Sequence, residues 1–242
     1  MAEVQVFVSN KKIELQPLVK GKAFTSEGLN FDPMTANDSN YYYLHRNGVD
    51  RSSIVQIDFD GNKKTIMSAP NVIDMDVTED NDLLITRTVL NGDSRAWSDI
   101  FQIKNGDEYR LTQGQRYRTA RWINQGQNII AKRITRGFSQ LDLLTAQGQF
   151  IEQLWQGTLD DVIGDYSVSY SGKNLIASVK RKQQGWNLEQ FDLGSKQWEK
   201  LTNTKATESG ARYDKEDETI VFSANYDNVF NIYRINLASG NL

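Results

Sequence analysis

RYRTARWINQGQNIIAKR, residues 116–133, is the stretch on which the fold turns. Five basic residues share its eighteen positions with a Gly-containing turn and a run of apolar residues. Taken alone, it fits a nucleic-acid arm, a phosphate-binding loop or one unit of a repeat. Self-similarity elsewhere in the chain selects the third reading. Its core, ARWINQGQNIIAK (120–132), has counterparts in DPMTANDSNYYYL (32–44), DMDVTEDNDLLIT (74–86), SVSYSGKNLIASV (167–179) and ARYDKEDETIVFS (211–223). Each is a short apolar-centred strand, a turn rich in Asn, Asp, Gly or Glu, and a second strand of β-branched or aromatic residues.

A second element comes after each of these: IVQIDFDGNKKTI (54–66), IFQIKNGDEYRL (100–111), LDLLTAQGQFIEQL (141–154), LEQFDLGSKQWEKL (188–201) and NIYRINLASGNL (231–242). Alternating strand, Gly or Ser turn and new strand spell a β-hairpin. Aligning Ile57, Ile103, Leu144, Phe191 and Ile235 gives steps of 46, 41, 47 and 44 residues. No helical periodicity is sustained. Four strands per repeat of about 45 residues predict an all-β chain built as a β-propeller of about five blades. The stretch 116–133 is then the first two strands of the third blade, with NQGQ as their turn. No strand-to-helix junction remains on which to build a phosphate loop.

The paired elements resemble the TolB-like, WD-like propeller repeat. The echoes are Arg121-Trp122 before Gln125-Gly126, Tyr170-Ser171-Gly172-Lys173 before Leu175-Ile176-Ala177, Ile220-Val221-Phe222, Ile232-Tyr233, and the closing pairs Leu111-Thr112 and Leu201-Thr202. The resemblance implies a non-catalytic protein-interaction scaffold of a bacterial envelope or secreted protein, hence a periplasmic or secreted location. It also admits a second reading, the propeller portion of a larger hydrolase or peptidase whose catalytic residues lie outside this chain.

The expected organisation is a single propeller domain, 1–242, with blades at 23–67, 71–112, 116–155, 160–202 and 206–242. Residues 3–18 supply a partial blade or closing strands. Two readings of the ends stay open: ring closure through the N-terminal segment, or a sector of a longer propeller. An unclosed sector would leave strand edges free for self-association.

Composition narrows the function classes. With 38% hydrophobic residues and only 3 Pro in 242, the chain can bury a core. A net charge of -3 offers no global footprint for nucleic acid. No apolar run approaches the ~20 residues of a membrane span, and the first residues lack the pattern of a signal peptide. Without Cys there are no disulfides or thiol nucleophiles, and the single His45 rules out a histidine-rich metal site. His45 closes an aromatic, strand-like run and reads as a strand-end side chain. No cofactor is expected.

Local features supply the candidate sites. Eight basic residues fall between Lys104 and Arg136. Of these Arg116, Arg118, Arg121, Lys132, Arg133 and Arg136 form a candidate docking patch for an acidic protein partner, with strand alternation placing Arg116, Arg118 and Lys132 on one surface. The acidic run DMDVTEDND (74–82) holds five carboxylates but lacks the Gly and terminal Glu of a calcium loop, so it reads as a turn between strands. Asp32, Asp74 and Glu208 are the carboxylates a glycosidase reading would use, although turn chemistry accounts for each. Trp97, Trp122, Trp155, Trp186 and Trp198 recur near strand ends, mostly as blade packing, with one or two expected at the surface as partner anchors.

Overall fold

A computed structural model describes residues 5–8, 11–14, 33–46, 48–90, 92 and 94–237. Every regular element among them is a β-strand. An N-terminal hairpin pairs β1 (Gln5–Val8) with β2 (Lys11–Glu14). The first sheet is β3 (Met34–Ala36), β4 (Asn40–His45), β5 (Ser53–Asp58) and β6 (Lys63–Ser68). The second is β7 (Val72–Val77), β8 (Leu83–Leu90), β9 (Ala96–Lys104) and β10 (Asp107–Arg110). In the third, β11 (Tyr117–Ile123), β12 (Asn128–Thr135), β13 (Phe138–Thr145) and β14 (Phe150–Gln156) lie side by side. The fourth holds β15 (Val162–Val168), β16 (Asn174–Lys180), β17 (Trp186–Asp192) and β18 (Gln197–Lys200). In the fifth, β19 (Glu208–Tyr213), β20 (Thr219–Ala224) and β21 (Asn231–Asn236) are described.

Each sheet is a meander whose spatial order is its sequence order, which is the construction of a propeller blade. The five residues that set the repeat, Ile57, Ile103, Leu144, Phe191 and Ile235, each sit on the third strand of a blade, and each is buried. Burial also explains the strand sequences. Middle strands such as β12 and β16 are buried along most of their length, and their sequences run apolar rather than alternating. Outer strands β10 and β18 are short, charged and exposed, which blunts their free edges.

Between β11 and β12 the NQGQ turn reverses the chain. Asn124, Gln125 and Gly126 all adopt positive φ there, at 51°, 55° and 83°. Gly126 takes the most left-handed position, where the lack of a Cβ removes the steric cost. Its amide closes the turn on the Ile123 carbonyl at 3.2 Å.

The chain divides into two compact units. One comprises Lys22–Ile134 and Gln140–Gln153; the other comprises Met1–Gly21, Thr135–Ser139 and Leu154–Leu242. Within the first, one apolar cluster joins Tyr42, Leu44 and Ile54 to Met75, Ile85 and Phe101. A second joins Leu84 and Ile100 to Tyr117, Trp122 and Ile129. Within the other, Ile176 and Leu188 pack on Ala211, Ile220, Phe222 and Tyr233. Each fully buried Leu, Ile or Phe contributes roughly 1.5–3 kcal/mol, so these interblade layers carry the stability of the units.

Candidate docking surface

Most charged side chains singled out by sequence are absorbed by the blade frame, and the pattern recurs. In the first unit the Arg121 guanidinium grips Asp74 with both arms, Nη1 to Oδ2 at 2.5 Å and Nη2 to Oδ1 at 3.0 Å. Nη1 also donates to the Ala120 carbonyl at 2.9 Å. In the other unit Arg212 repeats the arrangement, donating to Asp165 at 2.7 Å and to the Ala211 carbonyl at 2.8 Å. An acid on the first strand of one blade thus holds an Ala-Arg on the first strand of the next.

The acidic run is used in the same way. Asp76 accepts the Trp122 amide at 2.7 Å, and burial pushes its carboxyl above the usual range. Glu79 accepts the Asp38 amide at 3.2 Å, and Asp82 pairs with Lys104 at 2.5 Å. Among the described residues no three metal-ligating side chains converge.

The Leu-Thr pairs that carried the family resemblance have a physical reason. Thr112 Oγ1 accepts the Ile100 amide at 2.9 Å and donates to Asp99 at 3.2 Å. Thr202 Oγ1 accepts the Leu188 amide at 2.8 Å and donates to Glu208. Each Thr therefore satisfies an amide of a third strand and ties that strand to a buried acid. Asp99 also receives Arg110 and the amides of Gly114 and Gln115. Glu208 also receives the Leu188 amide, Thr204 and Tyr226. Desolvation raises the pKa of Glu208, which has no cation among these partners.

These contacts decide the carboxylates that a glycosidase reading would need. Asp74 is committed to Arg121, and Glu208 is fully buried in its hydroxyl and amide cage. Asp32 lies outside the described residues. His45 is the last residue of β4, opposite Ser53, as a strand-end side chain should be.

The six basic residues separate. Arg121 and Lys132 are buried, at 5% and 9% exposure. Arg133 pairs through Nε with Asp142 Oδ2 at 2.9 Å, and Tyr117 Oη donates to that same oxygen at 2.8 Å. Burial raises the Asp142 pKa, against the opposing pull of Tyr117 and Arg133. Arg116 and Arg118 are exposed on the first unit; Arg136 is exposed on the other, in a turn at φ 52°. The simple alternation expected for Arg116, Arg118 and Lys132 does not hold. Arg116 precedes β11 at φ 64°, a bulge falls between Tyr117 and Thr119, and Lys132 turns inward. The Arg116 guanidinium stacks instead on the Trp97 ring, 3.8 Å from its centroid. Of the five Trp residues, Trp122 is buried and the others are half-buried, so no Trp stands free as an anchor. Trp155 and Trp198 meet edge to face at 5.5 Å.

Sequence reasoning missed Asp99, Asp142 and Glu189. Their signal is a carboxylate at the centre of an otherwise apolar third strand, as in QLDLL, where burial demands a partner.

No family model and no curated protein matches this sequence. Solved structures do match. TolB from Acinetobacter baumannii aligns with 96% of this chain at a TM-score of 0.68 and 13% identity. The fold is that of the TolB propellers. This chain spans 62% of the length of that TolB. A TolB structure from Agrobacterium tumefaciens aligns with 89% of this chain and 80% of its own, with a TM-score of 0.72 and 11% identity. A prolyl endopeptidase structure aligns with 87% of this chain but 35% of its own, with a TM-score of 0.59 and 11% identity.

Proposed function

We propose that this chain is a non-catalytic TolB-like propeller that serves as a protein-interaction scaffold in a bacterial envelope or secreted protein. The observation that carries the reading is the division of its charged groups. Asp74, Asp99, Asp142 and Glu208 are all held by guanidinium, hydroxyl or amide donors of the blade frame. Carboxylates used in this way are structural ties rather than acids or bases awaiting a substrate. Arg116, stacked on Trp97, and Arg118 are left exposed, and the Thr86 hydroxyl fixes the Arg118 backbone by donating to its carbonyl at 2.8 Å. Arg on an aromatic is a favoured element of interface hot spots, and its charge selects an acidic partner. The test is capture of partners from envelope extract by the immobilised chain, compared with Arg116→Glu/Arg118→Glu. Saturable, salt-sensitive retention lost in the double variant is the expected result; retention unchanged by it removes this surface.

A second reading rests on the prolyl endopeptidase likeness, in which a chain of this size covers about a third of a larger enzyme. Here the propeller docks or gates substrate for a catalytic domain outside these residues. A parent reading frame carrying a hydrolase motif would favour it, and a parent without one would remove it.

A further inference from the structure

Beside the Tyr117, Arg133 and Asp142 cluster, the first unit has an open groove of about 410 Å³. Tyr117 and Arg133 line it together with Gln113, Leu111, Leu144 and Phe150. Asp142 stands behind Arg133, its side chain fully buried, with Oδ2 2.9 Å from Nε in an ion pair that lacks hydrogen-bond geometry. The Arg133 guanidinium carbon also lies 5.4 Å from the centre of the Tyr117 ring. Its orientation is therefore set by a buried acid and an aromatic face, while Nη1 and Nη2 make no hydrogen bond among the described residues. An Arg placed by a buried ion-pair partner on its Nε side presents a planar pair of donors that matches a carboxylate in two-point contact.

The apolar side of the groove is also built. Gly148 is at φ 81°, and a Cβ there would fall 2.4 Å from the Leu111 carbonyl oxygen, so only Gly lets that turn close on Leu111. Phe150 is 57% exposed, a large apolar surface next to the fixed cation. We propose that this groove binds a peptide segment in which an acidic side chain is followed by an apolar one. The carboxylate takes the free edge of Arg133 and the Gln113 amide, and the apolar side chain lies on Leu111 and Phe150. A singly charged carboxylate fits better than a phosphate dianion, because Arg133 is the one charged side chain lining the groove and Asp142 already offsets part of its charge.

The inference rests on the interaction-scaffold reading and names what that scaffold recognises. Its test is an NMR titration of the full chain with a blocked tetrapeptide, glycyl-glutamyl-leucyl-glycine, and with its glutamine counterpart. The Arg133 Nε–H and Gln113 side-chain amide signals should shift saturably with the glutamyl peptide, and the glutamine peptide should bind at least tenfold more weakly. Arg133→Lys keeps a cation beside Asp142 while removing the two-point edge, and should weaken binding about tenfold. Phe150→Ala changes an exposed side chain and should weaken it severalfold. No saturable shift, equal binding of the two peptides, or binding indifferent to both substitutions overturns the proposal. A partner captured equally well by wild type and by both variants leaves the scaffold standing and removes the groove. Failure to capture any partner removes the scaffold reading on which the groove depends.

Discussion

Arg121 reaches back 47 positions to clasp Asp74 with both arms of its guanidinium. The separation is one blade, so the pair fastens neighbouring blades where their first strands meet. Arg121 is 7% exposed at its side chain and Asp74 17%, whereas Arg212 and Asp165 are 47% and 34% exposed. The same contact thus occurs in a desolvated and a solvated form. Replacing Asp74 with Asn should cost about 3–5 kcal/mol, because it takes the charged partner from a buried guanidinium. Asp165→Asn should cost at most about 1 kcal/mol. Urea denaturation of the two variants checks this, and equal losses would contradict the burial argument.

The Thr202 hydroxyl both accepts and donates, so its removal takes one of two partners from the Leu188 amide and one of several donors from Glu208. Thr202→Val conserves volume and should destabilise by about 1–3 kcal/mol, with Thr112→Val in the same range. Denaturant melts of both variants would show it. A neutral Thr202→Val would mean that the closing Leu-Thr pair is not a structural tie.

Glu208 gives a dependence on pH. Desolvation raises its folded-state pKa above the ordinary value of 4.5, so its contribution to stability is fully present below that value and is lost as pH rises through the raised one. Glu208→Gln cannot ionise. The stability of wild type relative to this variant should therefore fall as pH rises above 4.5 and through the raised folded-state value, as read from urea melts along a pH series. A relative stability that rises with pH would reverse the assignment.

Gly126 and Gly148 separate two costs of a side chain. At Gly126 an added Cβ would lie 3.2 Å from Thr78 Cγ2, the movable end of a side chain; at Gly148 it would strike the Leu111 backbone. Gly126→Ala should cost about 1 kcal/mol, mainly for the left-handed backbone, and Gly148→Ala clearly more. Thermal melts rank the two. The opposite order would mean that the Gly148 turn can move away from Leu111.

The blades were legible because their signal is local and repeated. Ile57, Ile103, Leu144, Phe191 and Ile235 recur at nearly fixed spacing since each fills the same buried place on a third strand. The basic residues were not, because the places of Arg121 and Arg133 are settled by Asp74 on the neighbouring blade and Asp142 on the neighbouring strand, and an acid that pairs with a base on another strand leaves no local trace. Arg116 escaped alternation for a different reason: its left-handed backbone and the bulge at the start of β11 rotate the faces of the strand residues beyond them. A carboxylate spaced one blade from an Arg is the clue that was available, in Asp74 with Arg121 and Asp165 with Arg212.

The most direct test of the scaffold account is quantitative capture from envelope extract on immobilised wild type and on Arg116→Glu/Arg118→Glu, at low and moderate salt. The account predicts a saturable protein partner retained by wild type, weakened by salt and lost from the double variant. Identical retention by the two proteins would remove the Arg116 and Arg118 surface, and the absence of any saturable partner on wild type would contradict the scaffold account itself.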